Sequence, residues 1–421
     1  MTSDQRYEFT TLDLHSQADA ARRRGFVESF EQAFHHARPG EPELERFQQF
    51  WREDGTRVKG AWLRGDKYGS GHRPVGTFTS FDGSFNTGAE LVPAWLITDV
   101  TVSAAHRRRG LLSRLMRDDL AAAAASDAVV AAMTVTEGGI YGRFGFNPAI
   151  WATRAEVDVR RPLAFVSEAE RDAALVEPVE ISDLVAEHFA GYHARTRGSL
   201  TRPAFWNHLL RGDMRREGGP GRDEYVRAAV TLDADGKPDG HVIYRPESDA
   251  QGRRVRVLDL IGRSRQAHLA LWQFLGTIDL VDTVVANLAV QDPLRWAVAD
   301  LRQVKLSEVY DQLWLRVLDT PAALAARPWF GDGEVTVTVT DRLDIAAGTW
   351  TVSARDGRAE VAPGGKTQVA LDVSALSALY AGGTTVDALA GAGRISGSEE
   401  DVALFADLAD GGPFPQAKTF F

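Results

Sequence analysis

The stretch WLITDVTVSAAHRRRGLLSRLMRDDL, Trp95 to Leu120, sets three consecutive arginines and a glycine between an apolar, β-branched run and a leucine-rich run. Those residue types in that order suit the holding of an anion. A helix start presents backbone N–H groups without partners and the positive end of the helix dipole, and both attract phosphate oxygens. Gly110 lets a bulky anion approach the backbone closely. Arg107, Arg108 and Arg109 add charge-assisted hydrogen bonds, for which guanidinium suits phosphate better than ammonium does. A second β-branched run then leads into TEGGIYGRFGF, residues 136–146, so that a polyphosphate site is framed by strand, helix and strand.

Hydrophobic spacing supplies the elements that must position this turn. VESFEQAFHHA and EPELERFQQFWRED carry apolar residues three and four apart and read as amphipathic helices. AWLITDVTV reads as a strand and GLLSRLMRDDLAAAAA as a helix with Leu111, Leu112, Leu115 and Met116 on one side. AVVAAMTVT reads as a buried strand. Strand, helix, strand implies a parallel crossover, which puts the arginine turn at the C-terminal end of the first strand. GFNPAIWATRAEVDV returns as a strand alternating from Ala155 to Val159, and RRP at residues 160–162 looks like a boundary.

Residues 161–308 repeat this grammar more faintly. YVRAAVTLDADGKPDGHVIYRP reads as a hairpin, and VLDLIGRSRQAHLALWQFL echoes ITDVTVSAAHRRRGLLSRLM without a glycine at the helix start. A duplicated domain with a decayed phosphate turn is one reading; two unrelated α/β pieces is the other. Residues 309–421 form a compact α+β region. DQLWLRVLD, EVTVTVTD and GTWTVSA read as strands, TPAALAARPWF as a short helix opened by Thr320 and Pro321, and two later helices close on glycine pairs. The sequence stops at KTFF, an apolar ending that reads as docked rather than frayed.

Composition narrows the function classes. At 421 residues, about three domains is the expectation. A formal net charge of −10 argues against a nucleic-acid binder. The absence of cysteine excludes disulfides, a thiol nucleophile and Cys-based metal sites. The N-terminus lacks the apolar core of a signal peptide, and the alanine-rich run is too short to span a bilayer. A cytoplasmic protein without a membrane or nucleic-acid partner is expected.

DVTVSAAHRRRGLLSRLM is similar to the coenzyme A loop of the GNAT acetyltransferases, Arg/Gln-x-x-Gly-x-Gly/Ala, and departs from it at Leu112, where the pattern has a small residue. Together with EGGIYGRFGF it resembles the Eis-type branch, enhanced intracellular survival. That branch has two GNAT-like domains, each a mixed sheet with a parallel strand pair flanked by helices, and then a sterol-carrier-protein-like α+β domain. The resemblance implies a catalytic acetyl-CoA-binding domain at 1–160, a degenerate GNAT-like domain at 161–308 and the sterol-carrier-like domain at 309–421. It implies acetyl-CoA as co-substrate, with no metal. Val100 and Val102, with Thr101 between them, would bond the pantetheine arm through the backbone. Arg107 and the run Arg108, Arg109, Gly110, Leu111, Leu112 and Ser113 would hold the pyrophosphate, and Thr136 and Glu137 would line the same cleft. Tyr141 would protonate the departing thiolate, and the C-terminal carboxylate, at Phe421, would act as general base. The acceptor would be a primary amine of an aminoglycoside, a polyamine-like cation or a lysine. A homo-oligomer, a hexamer, is also implied.

The chemistry needs no metal: a deprotonated amine, an oriented carbonyl and a stabilised leaving group suffice. A carboxylate of pKa about 3.5 is a poor base for an ammonium in water, but burial raises it, and it can also act by orienting the amine. Phe34, His35 and Trp51 are candidate acceptor-pocket residues, with core packing as the alternative. His35 and His36 are neighbours pointing to different sides, one exposed and one packed, so they make no metal pair. His188 and His193 read as structural. A competing reading is a hydrophobic-ligand carrier, with the WTVSA and TVTVT strands enclosing a lipid and the GNAT-like domains as scaffold. Intact Arg107, Gly110 and Tyr141 favour the enzyme.

Overall fold

The computed structural model describes residues 6–65, 71–215, 221–249 and 252–421. Within them, the β-branched runs before Leu318 form one twelve-stranded sheet. The first half supplies β1 (Tyr7–Thr11), β2 (Arg57–Leu63), β3 (Gly76–Asn86), β4 (Leu91–Val102), β5 (Val130–Met133) and β6 (Asn147–Asp158). The second supplies β7 (Asp172–Val176), β8 (Arg227–Leu232), β9 (Pro238–Asp249), β10 (Gly252–Gly262), β11 (Thr283–Ala289) and β12 (Val304–Val317). In space they run β1-β2-β3-β4-β5-β12-β6-β11-β10-β9-β8-β7. Each half is thus an antiparallel meander closed by one parallel pair, β4–β5 or β10–β11.

The last strand of each half changes sides. β6 pairs with β11, β12 pairs with β5, and the two meet antiparallel in the middle. Neither half's sheet is complete without a strand from the other. Of the two readings of residues 161–308, duplication is the one that matches this order: β10, the helix Arg265–Gly276 and β11 repeat β4, the helix Leu111–Ala124 and β5. One strand lies elsewhere than its sequence texture suggests. DQLWLRVLD, read with the third region, is the end of β12 in the large sheet, and residues 308 and 309 both fall within that strand. Local alternation could not show this, because the partner strands β5 and β6 are distant in sequence.

The third region builds a five-stranded sheet, β15-β14-β13-β16-β17, from β13 (Gly333–Thr340), β14 (Gly348–Arg355), β15 (Arg358–Pro363), β16 (Val369–Asp372) and β17 (Ile395–Ser396). Its helices Thr320–Ala326, Val373–Tyr380, Val386–Gly391 and Glu399–Ala409 start at Asp319, Asp372, Thr385 and Ser398, whose side chains each accept a first-turn N–H. Val335, Val337, Val352, Leu376, Leu379 and Phe405 pack together in the core between this sheet and its helices. That core continues into Phe85, Leu96, Ile150 and Leu313 of the large sheet, so burial of apolar surface docks the third domain on the first two.

After the helix Glu399–Ala409 the chain runs back across the large sheet. Arg197 Nη1 donates to Gly411 O at 2.7 Å, Gln312 Nε2 to Ala417 O at 2.8 Å and Trp206 Nε1 to Phe420 O at 3.0 Å. Thr419 is buried and its hydroxyl donates to Leu200 O at 2.9 Å, whereas Phe420 and Phe421 are half-buried. No helix among the described residues is long and apolar enough to cross a membrane.

Candidate active site

β4 pairs with β5 only over Ala94–Leu96 against Val130–Ala132, while it stays paired with β3 as far as Val102. Beyond Leu96 the two parallel strands part, and one backbone edge of β4 faces the opening. A β-bulge lies in the same stretch: Asp99 and Val100 stand opposite Phe78 alone, and Asp99 takes φ 51°. Val100, Thr101 and Val102 line one side of a cleft of about 860 Å³, and Thr136, Glu137 and Tyr141 line the other.

The arginine turn closes one end of this cleft. Arg107, Arg108, Arg109 and Gly110 are exposed, and with Leu111, Leu112 and Ser113 they line it. Gly110, at φ 79°, is the N-cap of the helix Leu111–Ala124 and brings no side chain to cap the free N–H groups. A Cβ built there meets nothing within 4 Å, so the left-handed backbone, not crowding, requires glycine. Arg108 is also left-handed, at φ 60°. Two residues not foreseen from sequence hold the turn from below. Arg109 Nη1 donates to Tyr7 Oη at 3.2 Å, and Tyr7 Oη lies 2.8 Å from His106 Nδ1. Burial, then Arg109 and Arg6, pull the His106 pKa down. The helix is fixed by Asp119, a buried carboxylate that accepts from Lys59 Nζ at 2.6 Å, Ser80 Oγ at 2.8 Å and Trp95 Nε1 at 2.7 Å. That set joins three strands and was invisible to spacing rules.

Tyr141 opens the short 3₁₀ turn Tyr141–Phe144, which ends at Gly145. Gly145 has φ 89°, and a Cβ there would stand 2.0 Å from Arg316 Nη1, so the GRFGF pattern marks where β12 crosses beneath the turn. Tyr141 is buried, its ring lies edge-on to Phe146, and its hydroxyl takes part in no hydrogen bond among the described residues. Burial, with Glu137 adding repulsion, pushes its pKa up to about 12. Phe421 is held at Thr134, the residue after β5: the Thr134 hydroxyl donates to Phe421 O and accepts from Phe421 N at 3.3 Å.

A second, smaller hollow of about 210 Å³ adjoins Asp99 and Phe421 and has aromatic walls that include Phe50, Trp51 and Phe81. The candidate acceptor residues are not brought together. Phe34 and His35 border the donor-side cleft, whereas Trp51 is buried against Phe26 at 5.5 Å and reaches only the smaller hollow. His35 and His36 are both exposed, against the expectation of one packed, because the helix stops at Ala33. His188 bonds His241 and His193 bonds Ser84 and Ser199, and burial holds both near pKa 4, as neutral structural groups. No cluster of three metal-ligating side chains occurs among the described residues.

The second half treats its corresponding opening differently. Ser264 caps the helix Arg265–Gly276 by accepting from Ala267 N at 3.0 Å, which uses an N–H that an anion would need. Gln416, Ala417, Lys418 and Phe420 lie between Val257–Leu260 of β10 and Ala286–Ala289 of β11, leaving only about 70 Å³. Residues 416–420 therefore border what is left of the second opening, and Phe421 lies beside the smaller hollow.

Residues 16–149 and 198–317 each match an acetyltransferase (GNAT) domain family, and residues 320–415 match the sterol carrier protein domain family. Fold and site define an N-acetyltransferase of the GNAT class. An uncharacterized N-acetyltransferase of Streptomyces avermitilis is 34% identical over 348 residues, covering 80% of this chain and 82% of that protein. The N-acetyltransferase Eis of Mycobacterium tuberculosis is 30% identical over 370 residues, 86% of this chain and 89% of its own. The crystal structure of Eis1 from Mycobacterium abscessus matches with a TM-score of 0.81 at 28% identity, over 99% of this chain and 100% of that one. The chain belongs to the Eis family of N-acetyltransferases.

Burial at the bulge has a measurable consequence. It raises the Asp99 carboxyl from 3.8 to about 6, with the Thr79 hydrogen bond opposing and Glu31 adding. The native state therefore holds this proton more tightly than the unfolded chain, and stability falls as pH rises from about 4 to 6. Asp99→Asn, which can still accept from Thr79, should melt a few degrees higher than the parent at pH 7.5, worth about 1–2 kcal/mol after screening by cleft water. Melting curves at pH 4 should show no such advantage; an equal gain at both values would assign the effect to something other than this charge.

Proposed function

We propose that this N-acetyltransferase moves the acetyl group of acetyl-CoA to a primary amine of a cationic acceptor, aminoglycoside-like, polyamine-like or lysine. In this reading Tyr141 is the acid and the carboxylate of Phe421 the base. The observation that carries it is one cleft lined by the arginine turn, by Val100–Val102 of β4 and by Tyr141. Acetyl-CoA fits these residues. The first N–H groups of the helix Leu111–Ala124 and the Arg107–Arg109 guanidiniums would take the diphosphate, and the backbone at Val100–Val102 would take the pantetheine arm. Leu112, where the family pattern has a small residue, is half-buried in the cleft wall, and no side chain caps the helix's first N–H groups.

The donor brings an activated acyl carbon; the protein's residues orient it and handle protons. Tyr141 keeps its proton over the whole working range, because burial has raised it to about 12. Passing that proton fully to a thiolate whose thiol has pKa about 8.5 is uphill by roughly 4–5 kcal/mol in water. The same desolvation raises a thiol beside it and narrows that gap. Tyr141 thus donates a hydrogen bond as negative charge develops on sulfur and completes the transfer late. Phe421, held by Thr134 beside the smaller hollow, would set its carboxylate against the incoming ammonium.

Arg108→Ala should weaken acetyl-CoA binding by calorimetry roughly 10–100-fold, the scale of a charged hydrogen bond. Tyr141→Phe should lower kcat roughly 100-fold or more while leaving that binding near the parent's. Absence of binding by the parent at millimolar donor would favour the lipid-carrier alternative, and undiminished turnover in Tyr141→Phe would remove that residue from the mechanism. Adding a few residues after Phe421 should abolish thiol release at an unchanged melting temperature. Normal turnover in the extended protein would take the terminal carboxylate out of the reaction.

A further inference from the structure

A cavity of about 680 Å³ lies along the seam between the first domain and the third. Gly142, Arg143, Gly145 and Asn147 line it from the segment that carries Tyr141, and Arg342 and Arg394 line it from the third domain. Arg143 borders the donor cleft as well, and it stands in the same 3₁₀ turn as Tyr141. Hydrogen bonds across the seam hold its two walls together. Asn147 Nδ2 donates to Ser374 O at 3.2 Å, and Ser374 Oγ donates to Phe146 O at 3.2 Å. The volume falls within the roughly 300–1,000 Å³ usual for small-molecule sites.

The lining sets the guanidiniums of Arg143, Arg342 and Arg394 against the carboxylates of Asp341 and Asp372. Both carboxylates are engaged within the fold. Asp341 is buried and accepts from Arg316 Nη2 at 2.7 Å and from the backbone N–H groups of Leu343, Ile345 and Ala346. Asp372 caps the helix Val373–Tyr380 through Ala375 N at 2.7 Å and pairs with Arg394 Nη2 at 3.0 Å. Arg143 and Arg342 are exposed and form no hydrogen bond or ion pair among the described residues. A further cation lies under the floor. Arg316 is fully buried, and its Nε and Nη1 have no hydrogen-bond partner among the described residues. Gly145 brings no side chain to screen it, since a Cβ there would collide with Arg316 Nη1. In a chain of formal net charge −10, the seam is thus a local excess of positive charge.

We propose that this seam is a second ligand site, for a small organic oxyanion with two or more negative charges, carboxylate or phosphate, held from the first domain by Arg143 and from the third by Arg342. Planar guanidinium forks suit the oxygens of either group. A single charge would leave one of the two arginines without a partner, whereas a dianion serves both. The buried Arg316 charge adds attraction through the floor. The occupant joins the turn that carries Tyr141 to the third domain, and it is neither the acetyl donor nor the acceptor.

The test titrates the full chain with citrate and with pyrophosphate by calorimetry, in saturating coenzyme A so that the arginine turn of the donor cleft is occupied. At least one of the two anions should bind at a single saturable site, and the tighter one reports whether carboxylate or phosphate is preferred. Arg342→Glu and Arg143→Glu should each weaken that binding roughly 10–100-fold, while coenzyme A binds Arg342→Glu about as it binds the parent. Should either variant fail to fold, a crystal of the parent grown with the tighter anion takes its place and should show the anion within hydrogen-bonding distance of both guanidiniums. No saturable binding of either anion up to about 10 mM, equal affinity in the folded variants, or an anion seated away from Arg143 and Arg342 overturns the proposal and leaves the acetyltransferase reading standing.

Discussion

The parting of β4 from β5 after Leu96 is the constraint on which the site depends. A parallel pair that stayed closed would spend its backbone groups on each other. Because β4 remains tied to β3 through Val102, it keeps a rigid strand's geometry while one edge is free. The bulge at Asp99 and Val100 turns that edge so that consecutive residues face two different spaces. The helix Leu111–Ala124 then begins at the mouth, and Asp119 bolts it to β2, β3 and β4. The large cleft, the arginine turn at its mouth and the smaller hollow all adjoin this one break in pairing.

The second half of the chain acts as a control for this logic. It has the same strand order and its own parallel pair, yet a side chain caps its helix and the tail occupies its opening. Lys418 in that tail lies in a buried polar pocket with Asp259 and Asp292; burial pulls its pKa down while the two carboxylates oppose. Burial alone would raise Asp259, but Arg202 and His241 hold it well below the usual carboxylate range. The second half thereby holds residues 416–420 against β10 and β11. Its filled opening fixes where Phe421 lies against Thr134 and Phe81.

Much of this was legible in residue order. The arginine turn, the glycine at the helix start, the parallel crossover and the faint repeat are local patterns, and local physics dictates them. What was not legible is tertiary. The exchange of β6 and β12 between halves pairs strands more than a hundred residues apart, and the texture of DQLWLRVLD says nothing about its partners. Tyr7 and His106 support the turn across nearly a hundred residues; Tyr7 stands in no motif, and His106, though inside the quoted loop, gave no sign of this partner. Asp99 sat in plain view in ITDVTV, but its importance comes from a bulge and a positive φ that alternating residues do not announce. Phe34, His35 and Trp51 could be proposed as neighbours only because sequence carries no measure of which cavity a helix end faces.

Coenzyme A bound in a crystal of the full chain tests the central claim most directly. Its diphosphate should lie within hydrogen-bonding distance of the backbone N–H groups between Arg108 and Ser113, with the pantetheine arm along Val100–Val102 and nothing at Ser264. A diphosphate bound anywhere else, or an arm that leaves the β4 edge bare, would contradict it.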